Sequence, residues 1–255
     1  MNTIADVQST HDMRNQSINR VGIRGLRLPL RLSHEEQATV ATVAMSVYLP
    51  AEQKGTHMSR FVALIESFDE VIDYDTLKLL THTMLRDLDS NAGEIEIQAP
   101  FFRTKTAPIS GIKSLMDYDI TLTGSIENNL YHQTLKMVIP VTSLCPCSKE
   151  ISAYGAHNQR SHVTVCLCSA DAIEIEEMIA LIENQASCQL YGLLKRPDEK
   201  FVTEYAYDHP KFVEDIVRDV AAVLKAEKRI QRFVVESENF ESIHNHSAYA
   251  KIVYP

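Results

Sequence analysis

The stretch from Thr142 to His162, TSLCPCSKEISAYGAHNQRSH, carries two of the chain's five cysteines, Cys145 and Cys147, and two of its ten histidines, His157 and His162. Thiolate and imidazole are the usual ligands of Zn²⁺ and neighbouring ions. Cys145 and His157 stand twelve positions apart (157 − 145), far enough for a loop to fold both onto one ion. Cys145-Pro146-Cys147 is tighter than the Cys-x-x-Cys spacing of structural zinc sites, which favours one thiol on an ion over two. One Cys and one His make two ligands, and a catalytic ion needs a third while keeping a position for water. That third ligand must come from elsewhere in the chain. Free cysteines are also often small buried hydrophobes, and a lone His is more often a hydrogen-bonded structural residue than a ligand, so both readings of the stretch stand at this point. No pair of Cys-x-x-Cys motifs occurs anywhere. A metal here is therefore expected to be catalytic rather than structural.

Three further stretches could feed such a site. LLKRPDEKFVTE, Leu193 to Glu204, reads as a polar loop in which Glu199 is a candidate carboxylate ligand, although a solvated charge run explains it as well. Glu214 falls in the first turn of an expected helix and off its apolar face, where the helix dipole alone accounts for an acid. SENFESIHNHSAY, Ser237 to Tyr249, places His244 and His246 two apart, on one side of an extended segment, with Glu238 and Glu241 close by. A histidine pair there suits proton transfer. Arg103, Lys105, Lys113, Lys149, Arg160, Lys195 and Arg196 lie mostly in expected loops beside these stretches and could bind phosphate, although each alone reads as a surface charge. The chain has no P-loop and no G-x-G-x-x-G, so a bound nucleotide would not rest on a glycine-rich cradle.

The elements that must position these residues follow from periodicity. Residues 1–19 have none and are expected to form a flexible arm. Strand-like runs follow at 21–30 and 40–49. A helix carries Phe61, Leu64, Ile65 and Phe68, and a second, capped by Asp73 or Asp75, carries Leu77, Leu80, Met84 and Leu88. Strands are expected at 94–102 and 115–122. The order then recurs. Strands at 131–141 and 162–168 flank the Cys/His loop. A helix over 173–186 opens on a capping box of Asp171 and Glu174. Another starts near Pro210 with Phe212, Ile216, Val220, Val223 and Leu224 on one face. Strands at 233–237 and 248–253 close the chain. Two copies of strand-strand-helix-helix-strand-strand imply an α+β fold of antiparallel sheets with helices on one face. The expected division is an arm at 1–19, a first half at 20–127, and a second half at 128–255 carrying most of the site. Small sheets with open edges are often closed by other copies, so a homo-oligomer is expected.

Composition bounds the class. The chain has 255 residues, 45% of them hydrophobic, with a net charge of −9. The charge argues against nucleic-acid or anionic-membrane binding. No apolar run approaches the ~20 residues of a membrane span, and residues 1–16 contain no apolar signal region. A cytoplasmic protein with reduced thiols is expected.

The motifs themselves resemble those of the type IB GTP cyclohydrolases. The resemblance rests on SLCPCSKEIS, GAHNQRSH, QLYGLLKRPDEK, HPKFVED and ESIHNHSAY in the second half, with PAEQKGTHMSRF and FFRTKTAPISG in the first, and covers nearly the whole chain. It implies a bimodular tunnelling fold and a homotetramer. It also implies conversion of GTP and water to formate and 7,8-dihydroneopterin triphosphate, the first step toward tetrahydrofolate. By the same resemblance a divalent ion, Zn²⁺, Mn²⁺ or Fe²⁺, is held by Cys145, His157 and Glu199. Glu214 anchors guanine and His244 transfers protons, so Cys145 and His244 are the expected catalytic pair; the role of Cys147 is left open. The alternatives are a related tunnelling-fold enzyme of pterin or deazapurine chemistry and a non-catalytic protein with a structural metal.

Overall fold

The computed structural model describes residues 6–32, 37–169 and 171–255. The elements, in chain order, are β1 (Ile18–Leu32), β2 (Gln37–Leu49), α1 (Met58–Glu66), α2 (Tyr74–Asp87), β3 (Gly93–Thr106), β4 (Lys113–Glu127), β5 (Leu130–Leu144), α3 (Pro146–Ile151), β6 (Asn158–Ser169), α4 (Ile175–Glu183), β7 (Cys188–Gln189), α5 (Arg196–Asp208), α6 (Val213–Ala226), β8 (Ile230–Asn239) and β9 (Ala248–Tyr254). The strands pair in the order β1-β2-β3-β4-β5-β6-β8-β9, with β7 beside β5. The pairs β1/β2, β2/β3, β5/β7, β6/β8 and β8/β9 are antiparallel. β4 and β5 are joined by Asn128 and Asn129 alone, at φ 51° and 62°. Positive φ at both central residues is what a type I′ hairpin turn requires, and Asn tolerates it. Among the described residues no helix is long and apolar enough to cross a membrane.

The chain forms two compact units: 1–99 with 121–134, and 100–120 with 135–255. The division does not fall at 127/128, because β3, β4 and β5 each contribute residues to both units. In the first unit α2 opens on Asp73, whose carboxylate accepts the Thr76 N–H at 2.9 Å while the Thr76 hydroxyl accepts the Asp73 N–H. That reciprocal cap starts the helix whose Leu77, Leu80 and Met84 are fully buried, as are Met45, Phe61, Ile95 and Ile97 elsewhere in this unit. The arm's residues 1–5 lie outside the described residues, and 8–12 are held by backbone bonds between Gln8 and Gly55, Thr10 and Lys54, and Asp12 and Glu52.

The second unit departs from the sequence reading in three places. Residues 193–204, read as a polar loop, contain the start of α5: Pro197 sits in its first turn and the Asp198 carboxylate accepts the N–H of Lys195, at the N-cap, at 2.8 Å. α4 begins at Ile175 with Glu174 at its N-cap and no side-chain cap bond, so the Asp171 capping box does not form. The Cys/His loop itself shortens to 145–157 and holds a six-residue helix, α3, begun by Pro146. His162 stands on β6, exposed to solvent.

Candidate active site

Cys145 and His157 close the same loop. The Cys145 N–H donates to the His157 carbonyl at 3.1 Å, and the His157 N–H donates to Ser148 Oγ at 3.2 Å. Cys145 is the N-cap of α3, and its Sγ accepts the Ser148 N–H at 3.4 Å. Gly155, at φ 115°, turns the chain back toward His157 through a conformation that a Cβ would strain. The His157 imidazole is nearly enclosed, and its Nδ1 lies 2.9 Å from Gln159 Oε1. Gln159 in turn donates through Nε2 to Ser143 Oγ at 2.9 Å, and Ser161 Oγ donates to the same oxygen at 2.8 Å. Beyond Gln159 opens a cavity of about 300 Å³, lined among others by Thr142, Arg160, Tyr191 and Thr203.

The other three candidates stand on elements tied to this loop. Val202 and Ala206 of α5 pack with Leu144, Ala156 and Cys188. Glu199 lies three residues before Val202, hence on the same stripe of α5, and is exposed. The start of α6 is fixed by the Lys211 N–H, which donates to the carbonyl of Leu144 at 3.0 Å. Glu214 projects from its first turn into solvent. The segment between β8 and β9 leaves beside His157: the Phe240 N–H donates to the carbonyl of Arg160 at 3.0 Å, and a Glu241 carboxylate oxygen lies 3.8 Å from His157 Nδ1. His244 and His246 stack further along it, with centroids 5.2 Å apart, both exposed. Among the described residues, no three His, Cys, Asp or Glu side chains stand close enough together to hold a metal ion. Thus Cys145 and His157 share one loop, whereas Glu199, Glu214 and His244 sit on neighbouring elements without converging on them. The donor types still suit a borderline ion, being one thiolate, one imidazole and one carboxylate. With Nδ1 engaged, His157 keeps Nε2 for a ligand bond.

Two buried features supporting this region went unseen in the sequence. Asp198 is wholly buried and accepts from the N–H groups of Ile109, Ser110 and Lys195, each at 2.8 Å, and from Ser110 Oγ at 2.6 Å. Burial alone would raise its pKa, but the bonds from Ser110, Lys195 and Ile109 outweigh it and hold the carboxyl well below the usual range. It pins the first turn of α5, and with it Glu199, to the connection between β3 and β4. A separate close approach lies at Gly192, where a Cβ would come 2.5 Å from the Leu115 carbonyl of β4. The second feature is Glu183, whose Oε1 accepts from Lys105 Nζ at 2.7 Å and Tyr118 Oη at 2.8 Å, and whose Oε2 accepts from Arg103 at 3.2 Å. Lys105 is therefore a buried residue of β3 and not the surface charge its sequence context suggested. Burial lowers its pKa, and Glu183 offsets part of that. Burial and the Glu183 charge both raise the pKa of Tyr118. Lys105 also lies 4.7 Å from the ring centre of Tyr191, which lines the cavity.

Comparison with known proteins agrees with the motifs. Residues 4–250 match the family model described as type I GTP cyclohydrolase folE2. The chain is 66% identical over 257 residues to GTP cyclohydrolase FolE2 of Neisseria gonorrhoeae, covering 100% of both. It is 57% identical over 254 residues to the FolE2 protein of Herminiimonas arsenicoxydans, covering 99% of this chain and 97% of that one. Among solved structures, uricase from Arthrobacter globiformis aligns with a TM-score of 0.53 at 10% identity, over 92% of this chain and 93% of that one. Urate oxidase from Bacillus subtilis 168 aligns at 0.50 and 8%, over 92% and 97%. At such identities the likeness is one of fold: an α+β tunnelling fold.

Proposed function

We propose how the site works from the premise that this chain belongs to the FolE2 family of type I GTP cyclohydrolases. Its reaction opens the imidazole ring of GTP at C8, releases formate and forms 7,8-dihydroneopterin triphosphate. In our reading Cys145, His157 and Glu199 hold a divalent ion, Zn²⁺, Mn²⁺ or Fe²⁺. Such an ion, when bound, supplies Lewis acidity and lowers the pKa of a water toward ~7. The carboxylate of Glu214 accepts the N1–H and 2-amino donors of guanine. Adenine lacks that pair, so the same contact selects GTP over ATP. His244 supplies and removes protons as the ring opens and formate leaves. The nearly enclosed His157 imidazole is held by Gln159, whereas His244 stands on the separate segment between β8 and β9.

The observation that carries this reading is the bond from the Cys145 N–H to the His157 carbonyl, which joins the main chains of two residues twelve positions apart. Glu199, Glu214 and His244 are exposed in the single chain. In our reading further copies cover them, giving a homotetramer in the cytoplasm. β1 and β9, the two ends of the strand order, offer backbone groups for such pairing. The test is elemental analysis with GTP turnover on Cys145→Ala, His157→Ala and Glu199→Ala. Each should lose metal and turnover while remaining folded, because none of the three belongs to the hydrophobic core. Full metal content and activity in Cys145→Ala would refute the ligand assignment.

A further inference from the structure

We propose that Gln159 is a positioning residue for the metal centre. It holds His157 in the tautomer that carries hydrogen on Nδ1, so that Nε2 is the nitrogen presented to the ion. The inference rests on the reading of His157 as a ligand and extends it to a residue with no metal-binding chemistry of its own.

The geometry runs outward from the interior. Ser143 on β5 and Ser161 on β6 are both fully buried. Ser143 Oγ receives the Ser161 hydroxyl at 2.8 Å and the Gln159 amide N–H at 2.9 Å. The nitrogen end of the Gln159 amide thus points inward, and its oxygen end points at His157 Nδ1, 2.9 Å away. An amide oxygen accepts and cannot donate, so the hydrogen of a neutral imidazole must sit on Nδ1. Nε2 then carries the lone pair. Residues 157 and 159 are two apart along an extended segment, which puts both side chains on one face. The Glu241 carboxylate also faces this nitrogen, but at 3.8 Å it is beyond hydrogen-bond reach. A second partner on a ligating imidazole fixes its ring orientation and raises its basicity, and its loss costs about 10–100-fold in metal affinity. The competing account is that Gln159, Ser143 and Ser161 only satisfy one another's buried polar groups. That account predicts a change in stability and none in metal affinity.

Zn²⁺ affinity of the full-length apoprotein, measured by competition with a chromophoric chelator, separates the two. Gln159→Met keeps side-chain length and removes the acceptor, and should weaken Zn²⁺ binding about 10–100-fold. Gln159→Glu restores an acceptor in the same place and should stay within about threefold of wild type. Should Gln159→Met fail to fold, Ser143→Ala decides, because it frees the amide to turn and should weaken Zn²⁺ binding several-fold. Wild-type affinity in Gln159→Met, or in Ser143→Ala where that variant decides, overturns the proposal provided His157→Ala has lost Zn²⁺. So does a loss confined to Glu241→Gln, which would make Glu241 the partner of Nδ1. If His157→Ala itself binds Zn²⁺ like wild type, the ligand reading fails first and this proposal falls with it.

Discussion

Glu183 and Asp198 on one side, and Glu199 and Glu214 on the other, are the same kinds of group in opposite circumstances within the second unit. Glu183 is enclosed and takes hydrogen bonds from Arg103, Lys105 and Tyr118. Asp198 is enclosed and takes four from Ile109, Ser110 and Lys195. One residue further on, Glu199 faces solvent, as does Glu214 a helix later. A buried carboxylate is tolerable only when donors replace water, so the first pair is committed to holding the fold. The second pair is exposed and costs the fold nothing, and it remains available to a ligand. Full internal satisfaction therefore marks a supporting acid, and an exposed acid on a well-anchored element marks a candidate for chemistry.

Substitution can break this contrast from either side. The largest effect is expected at Glu183→Ala, which leaves Lys105 buried beside Arg103 without its counter-charge. Removing one partner of a buried pair costs about 3–5 kcal/mol. Denaturant unfolding should show that loss, and a loss below about 1 kcal/mol would mean the cluster is replaceable. Next comes Asp198→Asn, which sets an amide N–H₂ against backbone and hydroxyl donors. Tm should fall by at least ~4 °C, and turnover should fall with it because the first turn of α5 loosens around Glu199. An unchanged Tm would detach Asp198 from the support of the site.

The smallest effect in free energy, and the most selective, is expected at Glu214→Gln. If Glu214 anchors guanine, one donor of the base then faces a donor of the protein. The expected loss in kcat/KM for GTP is at least tenfold, or about 1.4 kcal/mol. Metal content and Tm should match wild type. If the helix dipole is its whole role, stability changes by at most ~1 kcal/mol and kcat/KM does not move. Steady-state kinetics beside a melting curve tells these outcomes apart.

The contrast also explains what could be read from the sequence. Spacing alone singled out Cys145 with His157 and the His244/His246 pair, because short polar runs between apolar periods stand out, whereas Glu199 and Glu214 read as ordinary surface acids until the motifs around them were matched to the family. Asp73 was legible as a cap from its position ahead of Leu77, Leu80 and Met84. The supporting residues were not legible, because their partners are distant in sequence: Glu183 lies 78 positions from Lys105, and Asp198 lies 88 from Ser110. Partial signals existed for both. Glu183 is four residues after Ile179, on the core face of α4, where an acid needs a partner. Pro197-Asp198 is a helix-start pair, yet the charge run around it was read as loop. Gln159 carried no signal at all, since an amide beside a histidine is ordinary until its acceptor end is seen to be fixed.

The two-asparagine link between β4 and β5 bears on how the chain finds its fold. Its arms are 15 residues each, among the longest strands, and they are joined by the shortest connection between strand neighbours in the described chain. β5 and β6, by contrast, must close a span of 13 residues, 145–157, that contains the candidate site. Closing a longer loop costs more chain entropy before any pairing repays it, and a hairpin forms within roughly 1–10 μs. The β4–β5 ribbon is thus expected to pair first, and the loop holding Cys145 and His157 to order only after a strand surface exists to receive it. Pulse-labelled hydrogen exchange during refolding would reveal the order, with protection at Leu122 and Leu135 preceding protection at Val163 and Val165. Simultaneous protection would mean that the turn seeds nothing. On this account the chemistry of the chain is acquired late, after the parts that only hold it have set.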